Sequence, residues 1–407
     1  MSKTIALLVT LDTKDQEAAY LKEQILARGH KALILDIGVV GKPGITADIS
    51  RAEVIKSGGG DLDEVLKNPT RENAGPFVVK GSIDILLHKI LNDEVHAVLG
   101  LGGTQGTSTC CNIMQALPYG LPKIMVSTIA SGDTSGFVGI KDITMMFSVS
   151  DILKLNPFAR KILANAAAAA CGMAEVEVKF AMDKTDKPLI GMSNLGVLTN
   201  GAMEAISYIE SKGYEVIVFH AVGSGGQAME QMMKEGIIGA VFDYAMGEIA
   251  DDVWSVLRAG GPDRLTVAGK LGLPQVLCPG GAEHLGILVP PNQVPEEYKD
   301  HDYVFHSPVV FVPRLNKEEF LRVAKSICER LSHTTHQAVF LMPLGGVGRY
   351  SKSGAVLYDK ESDDAFFDYL RNNLNRKIKI IEREEYIEDK AFVHKAVDVL
   401  IELIETA

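Results

Sequence analysis

Residues 95–108, VHAVLGLGGTQGTS, join an apolar run to a glycine-rich turn that opens a helix-compatible stretch. The run carries no charged or polar side chain between positions 97 and 101, which is typical of a strand buried on both faces between helices. Glycines and hydroxyl residues directly after such a strand let the backbone approach a ligand. The segment therefore predicts a parallel α/β sheet with a ligand site at the carboxyl edge of its strands.

The same alternation of apolar runs and amphipathic stretches extends along the chain on both sides of this segment. It begins with TIALLVT at 4–10 and KALILDIGV at 31–39, and it restarts with LIGMSNLG at 189–196 after a charged stretch from Glu175 to Pro188. Repeated strand–helix units predict doubly wound sheets. We therefore predict two Rossmann-like α/β domains with mostly parallel sheets and an inter-domain cleft. We place the first domain in residues 1–182 and the second in residues 183–407, and we expect the first to be the nucleotide-binding one on the motifs described below.

Composition restricts the classes of partner. The 407 residues include 52 acidic and 41 basic side chains, for a net charge of −11. An acidic surface disfavours long contacts with nucleic acid or anionic membrane, so anionic ligands must be held locally. No apolar run approaches the roughly 20 residues of a membrane span, and the start at Met1-Ser2-Lys3 has no export signal. We expect a cytoplasmic protein that contacts neither nucleic acid nor membrane.

The residues that follow each predicted strand of the first half are the candidate ligand contacts, because the carboxyl ends of parallel strands meet at one edge. They are small, hydroxyl-bearing or acidic: Asp12, Thr13, Gly102, Gly103, Thr104, Gln105, Gly106, Thr107, Ser127, Thr128, Ser131, Gly132, Asp133 and Thr134. The 102–107 turn lacks the lysine of a Walker A loop, and its spacing, G-x-G-G-x-x-G, is not that of a dinucleotide fingerprint. A glycine-rich turn with a threonine helix cap is the alternative interpretation.

Two acids of this set stand beside hydroxyl groups at strand ends. Asp12 and Asp133 each have the chemistry to hold Mg²⁺ between phosphate oxygens or to bond a ribose. Capping of the following helix is the alternative interpretation for both residues; it has the same weight as ligand contact for Asp12, whereas ligand contact is favoured for Asp133. We predict Asp133 as the metal contact.

The second half supplies a further glycine turn and several polar loop residues. Gly223, Gly225 and Gly226 precede a helix and predict a second anion-binding turn. Four polar residues in or near glycine-flanked loops are the candidate acid, base and anion-clamping groups: Glu248, Glu283, His284 and Arg349. A structural hydrogen-bonding role is the alternative for each of them.

Taken together, these motifs resemble those of a bacterial family related to the amino-terminal inhibitory domain of the plant tobamovirus-resistance protein. The segments that carry the resemblance recur in order along the whole chain: TLDTK, GLGGTQGT, STIASGDT, GMSNLG, FHAVGSGGQAME, PGGAEH and PLGGVGRYSKSGAVLYDKESDDAFFDYLR. The resemblance implies two Rossmann-like subdomains that bind ATP with Mg²⁺. It places the nucleotide on Asp12, Thr13, the 102–107 turn and the 127–134 segment.

Three functions remain open at this point. The first is an ATP-binding enzyme acting on a small anionic substrate in the inter-domain cleft, with the second-half glycine loops facing the nucleotide. The second is a nucleotide-gated protein-binding module without turnover. The third is a glycosyltransferase or sugar-nucleotide epimerase, which rests on fold analogy alone. The resemblance also implies a homodimer. Plant members carry an additional TIM-barrel-like domain, and we expect a separate polypeptide to supply it as a partner of this chain.

Overall fold

A computed structural model describes residues 2–178 and 187–407. The chain divides into two compact units, Met1–Phe180 and Ala181–Ala407, called unit 1 and unit 2 below. The boundary predicted between residues 182 and 183 falls within 179–186, outside the described residues. Each unit is a parallel sheet with helices on both faces, so the predicted pair of doubly wound α/β folds is confirmed.

Unit 1 contains one five-stranded sheet in the order β2-β1-β3-β4-β5, with every neighbouring pair parallel. Its strands are β1 (Thr4–Val9), β2 (Lys31–Asp36), β3 (Ala97–Gly102), β4 (Lys123–Ser127) and β5 (Ile143–Phe147). The central strand β3 is buried at all six positions, as its apolar sequence predicts. Because the chain leaves β1 toward β2 on one side and later returns to β3 on the other, the order reverses between β1 and β3.

Seven helices cover the unit 1 sheet: α1 (Asp15–Leu26), α2 (Arg51–Ser57), α3 (Leu62–Lys67), α4 (Arg71–Leu91), α5 (Thr104–Gln115), α6 (Ser135–Val138) and α7 (Pro157–Ala174). Helices α2, α4 and α5 pack on the face that carries Val98, whereas α1 and α7 pack on the face that carries Leu99. The glycine-rich stretch 41–75 reads as irregular from sequence, yet it contains α2, α3 and the start of α4. Ser50 and Glu53 form a capping box that starts α2 there.

Helices α2 and α4 cross at glycines. A methyl group on Gly81 of α4 would overlap the carbonyl oxygen of Val54 in α2. We expect Gly81→Ala to lower the free energy of unfolding of unit 1 by about 2 kcal/mol, because the helices must move apart. Gly172 of α7 faces open space, so Gly172→Ala is the matched control and should leave unit 1 unchanged or up to about 1 kcal/mol more stable.

Urea unfolding followed by circular dichroism measures both variants. The only tryptophan of the chain, Trp254, belongs to unit 2, so its fluorescence identifies the transition of that unit. Equal stability of the two variants would contradict the close approach of α2 and α4.

Unit 2 contains a six-stranded parallel sheet in the order β14-β13-β9-β8-β6-β7. Its strands are β6 (Ile190–Asn194), β7 (Val216–His220), β8 (Ala240–Ala245), β9 (Gln275–Gly280), β13 (Ala338–Pro343) and β14 (Ile378–Arg383). A small antiparallel sheet in the order β10-β12-β11 is built from β10 (Ile287–Leu288), β11 (Tyr303–Ser307) and β12 (Val310–Pro313). The strand order of the main sheet reverses between β6 and β8, as it does between β1 and β3 in unit 1.

The helices of unit 2 are α8 (Thr199–Ser211), α9 (Ser224–Lys234), α10 (Gly247–Trp254), α11 (Val267–Leu271), α12 (Lys317–Leu331), α13 (Lys360–Asn373) and α14 (Lys390–Thr406), with 3₁₀ turns at Gly196–Leu198 and Glu296–Tyr298. Helices α8 and α14 pack on one sheet face, and α10, α12 and α13 on the other. Over residues 2–178 and 187–407, no helix combines the length and apolar character needed to cross a membrane.

Candidate functional site

The carboxyl edge of the unit 1 sheet contains a cavity of about 200 Å³ at the point where the strand order reverses. Loops that follow β1 and β2 form one side of it, and the first turns of α5 together with α4 form the other. Its lining residues are Thr10, Asp12, Thr13, Ile37, Val39, Val40, Gly75, Val78, Gln105, Gly106 and Thr109. The structure therefore brings the predicted Asp12 and Thr13 together with Gln105 and Gly106, at the position where open α/β sheets bind ligands.

Helix α5 begins beside this cavity with its first amides free of side-chain caps. Gly103 is the N-cap residue in extended conformation, and no described side chain caps the helix. The first helical hydrogen bond runs from the Thr107 amide to the Gly103 carbonyl oxygen, so the amides of Thr104, Gln105 and Gly106 precede it. Thr104 and Gln105 are exposed. A 12-residue helix with open amides and a positive dipole end is suited to an anion.

Three predicted contacts in or beside this turn are buried and pack within the protein. Thr107 and Ser127 are fully buried, and their hydroxyl oxygens lie 2.7 Å apart. The Ser127 hydroxyl also accepts a hydrogen bond from the Ile129 amide at 3.1 Å. Gly102 is buried, and a Cβ there would lie 2.7 Å from the Gly106 Cα. Their burial and mutual packing fix the shape of the turn, and contact of these three residues with a ligand stays a prediction.

The loop after β4 runs next to the start of α5. The Thr128 amide donates to the Gly102 carbonyl oxygen at 3.3 Å, and the Thr128 hydroxyl oxygen lies 3.7 Å from where a Cβ on Gly103 would stand. Thr128 therefore stands beside the α5 N-terminus. Further along this loop, Ser131 and Gly132 are exposed and Thr134 is half-buried.

Asp133 is exposed at the end of this loop. Its Oδ1 accepts a hydrogen bond from the Ser135 amide at 2.9 Å, and this bond holds the pKa of the Asp133 carboxyl below its usual value. Within the described ranges, no group of three or more His, Cys, Asp or Glu side chains forms a metal site. A magnesium ion at Asp133 would thus need phosphate oxygens and water as its other ligands.

Two acids organise the loops that follow β1 and β2. The Asp12 carboxylate accepts from the Gly41 amide at 3.1 Å and remains partly exposed to the cavity. Asp36 is buried and accepts from the amides of Leu11 and Gly38. Asp36 is the last residue of β2 and was not among the predicted contacts. It holds the two loops together and keeps Asp12 at the cavity.

The predicted anion-binding turn of unit 2 is already occupied by a side chain of the chain itself. Glu248 is fully buried, and its Oε1 accepts from the amides of Gly223 at 2.6 Å and Gly226 at 3.0 Å. At Gly225, a Cβ would overlap the His220 carbonyl oxygen, so this glycine permits a close approach of backbone. Glu248 thus takes the amides that the sequence assigned to an external anion, and ligand contact by Gly223, Gly225 and Gly226 and catalysis by Glu248 stay predictions.

Behind Glu248 lies a buried ionic network. Arg264 donates to Glu248 Oε2 at 2.7 Å and to both carboxylate oxygens of Asp243, and its Nη1 lies 3.4 Å from Glu230. Burial, which outweighs the opposing field of Arg264, raises the pKa of Glu230 to about 7. Nothing in the sequence pattern identified Arg264 as the centre of this network.

The remaining predicted groups of unit 2 separate into buried and exposed ones. Glu283 and His284 are both buried, with His284 Nδ1 3.1 Å from Glu283 Oε1. Arg349 is exposed, and its amide donates to the Val197 carbonyl oxygen at 3.2 Å. His284 lines a second cavity, of about 380 Å³, whose lining includes neither Glu283 nor Arg349. Arg258 also lines this cavity, beside His284. The sequence did not single it out, because no recognisable motif surrounds it.

Comparison with known proteins gives matches along the whole chain. The model of the N-terminal domain of the uncharacterised protein family UPF0261 matches residues 3–179, and that of its C-terminal domain matches residues 187–404. A UPF0261 protein of Clostridium tetani is 39% identical over 406 residues and covers 100% of both chains. A UPF0261 protein of Mesorhizobium japonicum is 33% identical and covers 92% of this chain and 94% of its own.

A plant protein and two solved structures are more distant. The ToMV resistance protein Tm-1(GCR237) of Solanum lycopersicum is 28% identical, and the alignment covers 97% of this chain but 55% of the tomato protein. MurG from Acinetobacter baumannii has a TM-score of 0.22 at 13% identity, covering 99% of this chain and 100% of its own. Phosphoglycerate kinase from Pyrococcus horikoshii has a TM-score of 0.16 at 11% identity, covering 100% and 97%. The family resemblance predicted from the motifs is confirmed.

Proposed function

The chain belongs to the UPF0261 family, and we propose that its unit 1 binds ATP with Mg²⁺ at the cavity on the carboxyl edge of the sheet. The observation that carries the proposal is the uncapped N-terminus of α5, which begins at this edge where the strand order reverses. Three amides without helical acceptors, next to the Thr104 and Thr128 hydroxyls, are donors of the kind that phosphate oxygens accept. They supply local attraction in a protein of net charge −11.

The acids at this edge fit the remaining parts of the ligand. Asp12 is partly exposed at the cavity beside Thr13, where a carboxylate suits ribose hydroxyls or a hydrated cation. Asp133 is exposed in the loop that contains Thr128, and its lowered pKa keeps it ionised at neutral pH. Asp133 would hold Mg²⁺ together with phosphate oxygens and water. The ion would neutralise phosphate charge beside an otherwise acidic protein.

Titration calorimetry with ATP, in the presence and absence of Mg²⁺, tests this proposal. We expect the double variant Gly103→Val/Thr104→Ala to weaken ATP–Mg²⁺ binding at least tenfold, because the valine side chain fills phosphate space and a hydroxyl donor is lost. A Cβ on Gly103 meets only the Thr128 hydroxyl within 4 Å, so the variant has room to fold. Gly136→Val is the matched control, since a Cβ at that exposed position meets nothing within 4 Å.

Unchanged ATP affinity in a folded Gly103→Val/Thr104→Ala variant would rule out this site. A panel of GTP, UDP-sugars and NAD in the same instrument separates ATP binding from the sugar-nucleotide alternative. A protein-binding module would bind ATP without turnover, whereas an enzyme would also consume a second ligand. We propose the enzyme, acting on a small anionic substrate, because a buried carboxylate beside a histidine, as in the Glu283–His284 pair, is an arrangement suited to acid–base catalysis.

Other expectations from the sequence stay predictions. They are a homodimer, a cytoplasmic location and association with a separate TIM-barrel-like protein. Light scattering at micromolar concentration measures the first, and a mass of ~44 kDa would contradict it.

A further inference from the structure

The second cavity lies at the carboxyl edge of the unit 2 sheet, where the strand order reverses between β6 and β8. Its volume of about 380 Å³ is within the range of small-molecule sites. Most of the wall is apolar, from Leu195, Val197, Val222, Leu257, Val310 and Val312, and the polar lining residues are His220, Arg258, His284, His306 and Tyr350. An apolar pocket with a few polar groups on its wall is suited to a small ligand with a hydrocarbon body and one polar head.

The two neighbours of His284 favour one tautomer of its neutral ring. Its Nδ1 lies 3.1 Å from Glu283 Oε1, and its Nε2 lies 3.4 Å from Arg258 Nη1. A guanidinium group only donates hydrogen bonds, so Nε2 must present its lone pair to Arg258. The ring proton is then on Nδ1, facing the Glu283 carboxylate. This is the tautomer of a histidine that acts as a base through Nε2.

Glu283 is the partner that stabilises a protonated His284. It is fully buried, and apart from the contact with His284 neither of its oxygens has a hydrogen-bond partner among the described residues. Burial raises the pKa of Glu283, but the fields of His284 and Arg314 outweigh burial and lower it to about 2. The lowering depends on the positive charge of a protonated imidazole, so the Glu283 carboxylate is ionised when His284 has accepted a proton. A buried acid without other partners points to a role toward His284.

Arg258 is fixed so that one nitrogen remains for a ligand. Asp251, fully buried, accepts from Arg258 Nε at 2.9 Å and from Nη2 at 2.8 Å. Nη2 also donates to the His284 carbonyl oxygen at 3.0 Å. Nη1 is left, and its one hydrogen-bond partner among residues 2–178 and 187–407 is His284 Nε2. A base and a cationic donor therefore stand side by side at the cavity wall.

None of the lining residues is a serine, threonine or cysteine. The proton that His284 accepts must then come from the ligand or from water rather than from a nucleophilic side chain. His306 and Tyr350 provide a second proton-carrying pair, with His306 Nδ1 3.3 Å from the Tyr350 hydroxyl oxygen.

We propose that this cavity is an acid–base site for a small 2-oxo acid with a hydrocarbon side chain. The carbonyl oxygen of the substrate takes over the contact with Arg258 Nη1, and His284 Nε2, released from that contact, removes a proton from the carbon next to the carbonyl group. The electron pair of the broken C–H bond forms the C=C bond of an enolate, and the resulting charge on the carbonyl oxygen faces Arg258 Nη1. Glu283 faces the imidazolium as a positioning residue. Return of the proton to the same carbon completes an exchange without any other reactant.

This inference gives a substrate class to the small anionic substrate of the proposed function, and it rests on that part of the proposal but not on nucleotide binding. The probe is 4-methyl-2-oxopentanoate in D₂O, with proton NMR to follow loss of the C3–H signal. We expect the protein to accelerate exchange above the buffer rate. His284→Gln should slow protein-catalysed exchange at least a hundredfold while calorimetry still detects binding of the probe. Glu283→Gln should lower the exchange rate and leave probe affinity nearly unchanged.

Val310→Phe fills the cavity and should abolish both binding and exchange, whereas Val309→Phe, at an exposed neighbour that does not line the cavity, should change neither. The Gly103→Val/Thr104→Ala variant of unit 1 should exchange the probe at the wild-type rate, so failure at one site is distinguishable from failure at the other. Tryptophan fluorescence of Trp254 verifies folding of unit 2 in each variant. Exchange at the buffer rate in wild type, or unchanged exchange in a folded His284→Gln variant, would overturn the proposal.

Discussion

Replacement of Arg264 by Met is expected to destabilise unit 2 strongly at neutral pH and to leave the stability of unit 1 unchanged. Arg264 is fully buried and lies against three buried carboxylates, those of Glu230, Asp243 and Glu248. Without the guanidinium group these acids have no neutralising cation in contact. Removal of one partner from a buried ionic network typically costs about 3–5 kcal/mol, which is a large part of the stability of a domain. We expect a loss of about 4 kcal/mol or more.

Urea unfolding followed by Trp254 fluorescence measures the effect in unit 2. Arg371→Met is the control, because Arg371 makes its ion pairs with Glu382 and Asp368 at the surface and should contribute less than about 1 kcal/mol. The double variant Arg264→Met/Asp243→Asn should recover part of the loss, since one uncompensated charge is gone. An Arg264→Met protein as stable as wild type would show that the network does not hold unit 2 together.

The stability of unit 2 should fall as the pH rises from about 4.5 to about 7, through the titration of Glu230. Burial raises the pKa of Glu230 to about 7. The positive charge of Arg264 and the hydrogen bonds from the amides of Leu265 and Val267 act in the opposite direction but do not cancel the effect of burial. The folded protein therefore binds a proton in this window that the unfolded chain has released. The stabilisation from Glu230 is complete below about pH 4.5, the pKa of Glu230 in the unfolded chain. It is lost as the pH rises through about 7, the pKa of Glu230 in the folded protein. Its size is about 3 kcal/mol.

Glu230→Gln isolates this contribution, because the amide has nearly the same shape and does not titrate. We expect the difference in unfolding free energy between wild type and Glu230→Gln to change by about 3 kcal/mol between about pH 4.5 and about pH 8. Glu283 does not disturb this window, since its pKa is lowered to about 2 and its own contribution is lost only as the pH falls below about 4.5. The surface variant Glu329→Gln should show no such change. A pH-independent difference for Glu230→Gln would contradict the raised pKa.

The fold could be predicted from sequence because its strands are apolar on both faces. The sequence of strand β3 and of the turn that follows it predicted a parallel sheet and the edge of that sheet at which a cavity lies. The prediction was weaker where glycine content suggested loops, as in 41–75, because a capping box such as Ser50–Glu53 starts a helix that composition does not reveal.

The site was predicted only in part, because sequence shows which residues reach an edge but not which of them face each other. Thr107 and Ser127 are 20 positions apart and satisfy one another's hydroxyl groups. Gly223 and Glu248 are 25 positions apart, and the sequence does not show that they meet. The glycine turn that predicts binding of an external anion instead binds the carboxylate of Glu248. Arg258 reaches His284 from a loop without any recognisable motif. Such pairings depend on tertiary packing.

Each parallel sheet is built from one uninterrupted segment of the chain, and this affects biosynthesis. All five strands of the first sheet lie before residue 148, so a ribosome has released them before it begins the second sheet. At roughly 5–20 residues per second, translation of the second segment takes roughly 10–45 s, far longer than typical domain folding. The apolar strands of the first sheet are therefore sequestered before those of the second are made. Mispairing between strands of the two sheets is thereby avoided in the nascent chain.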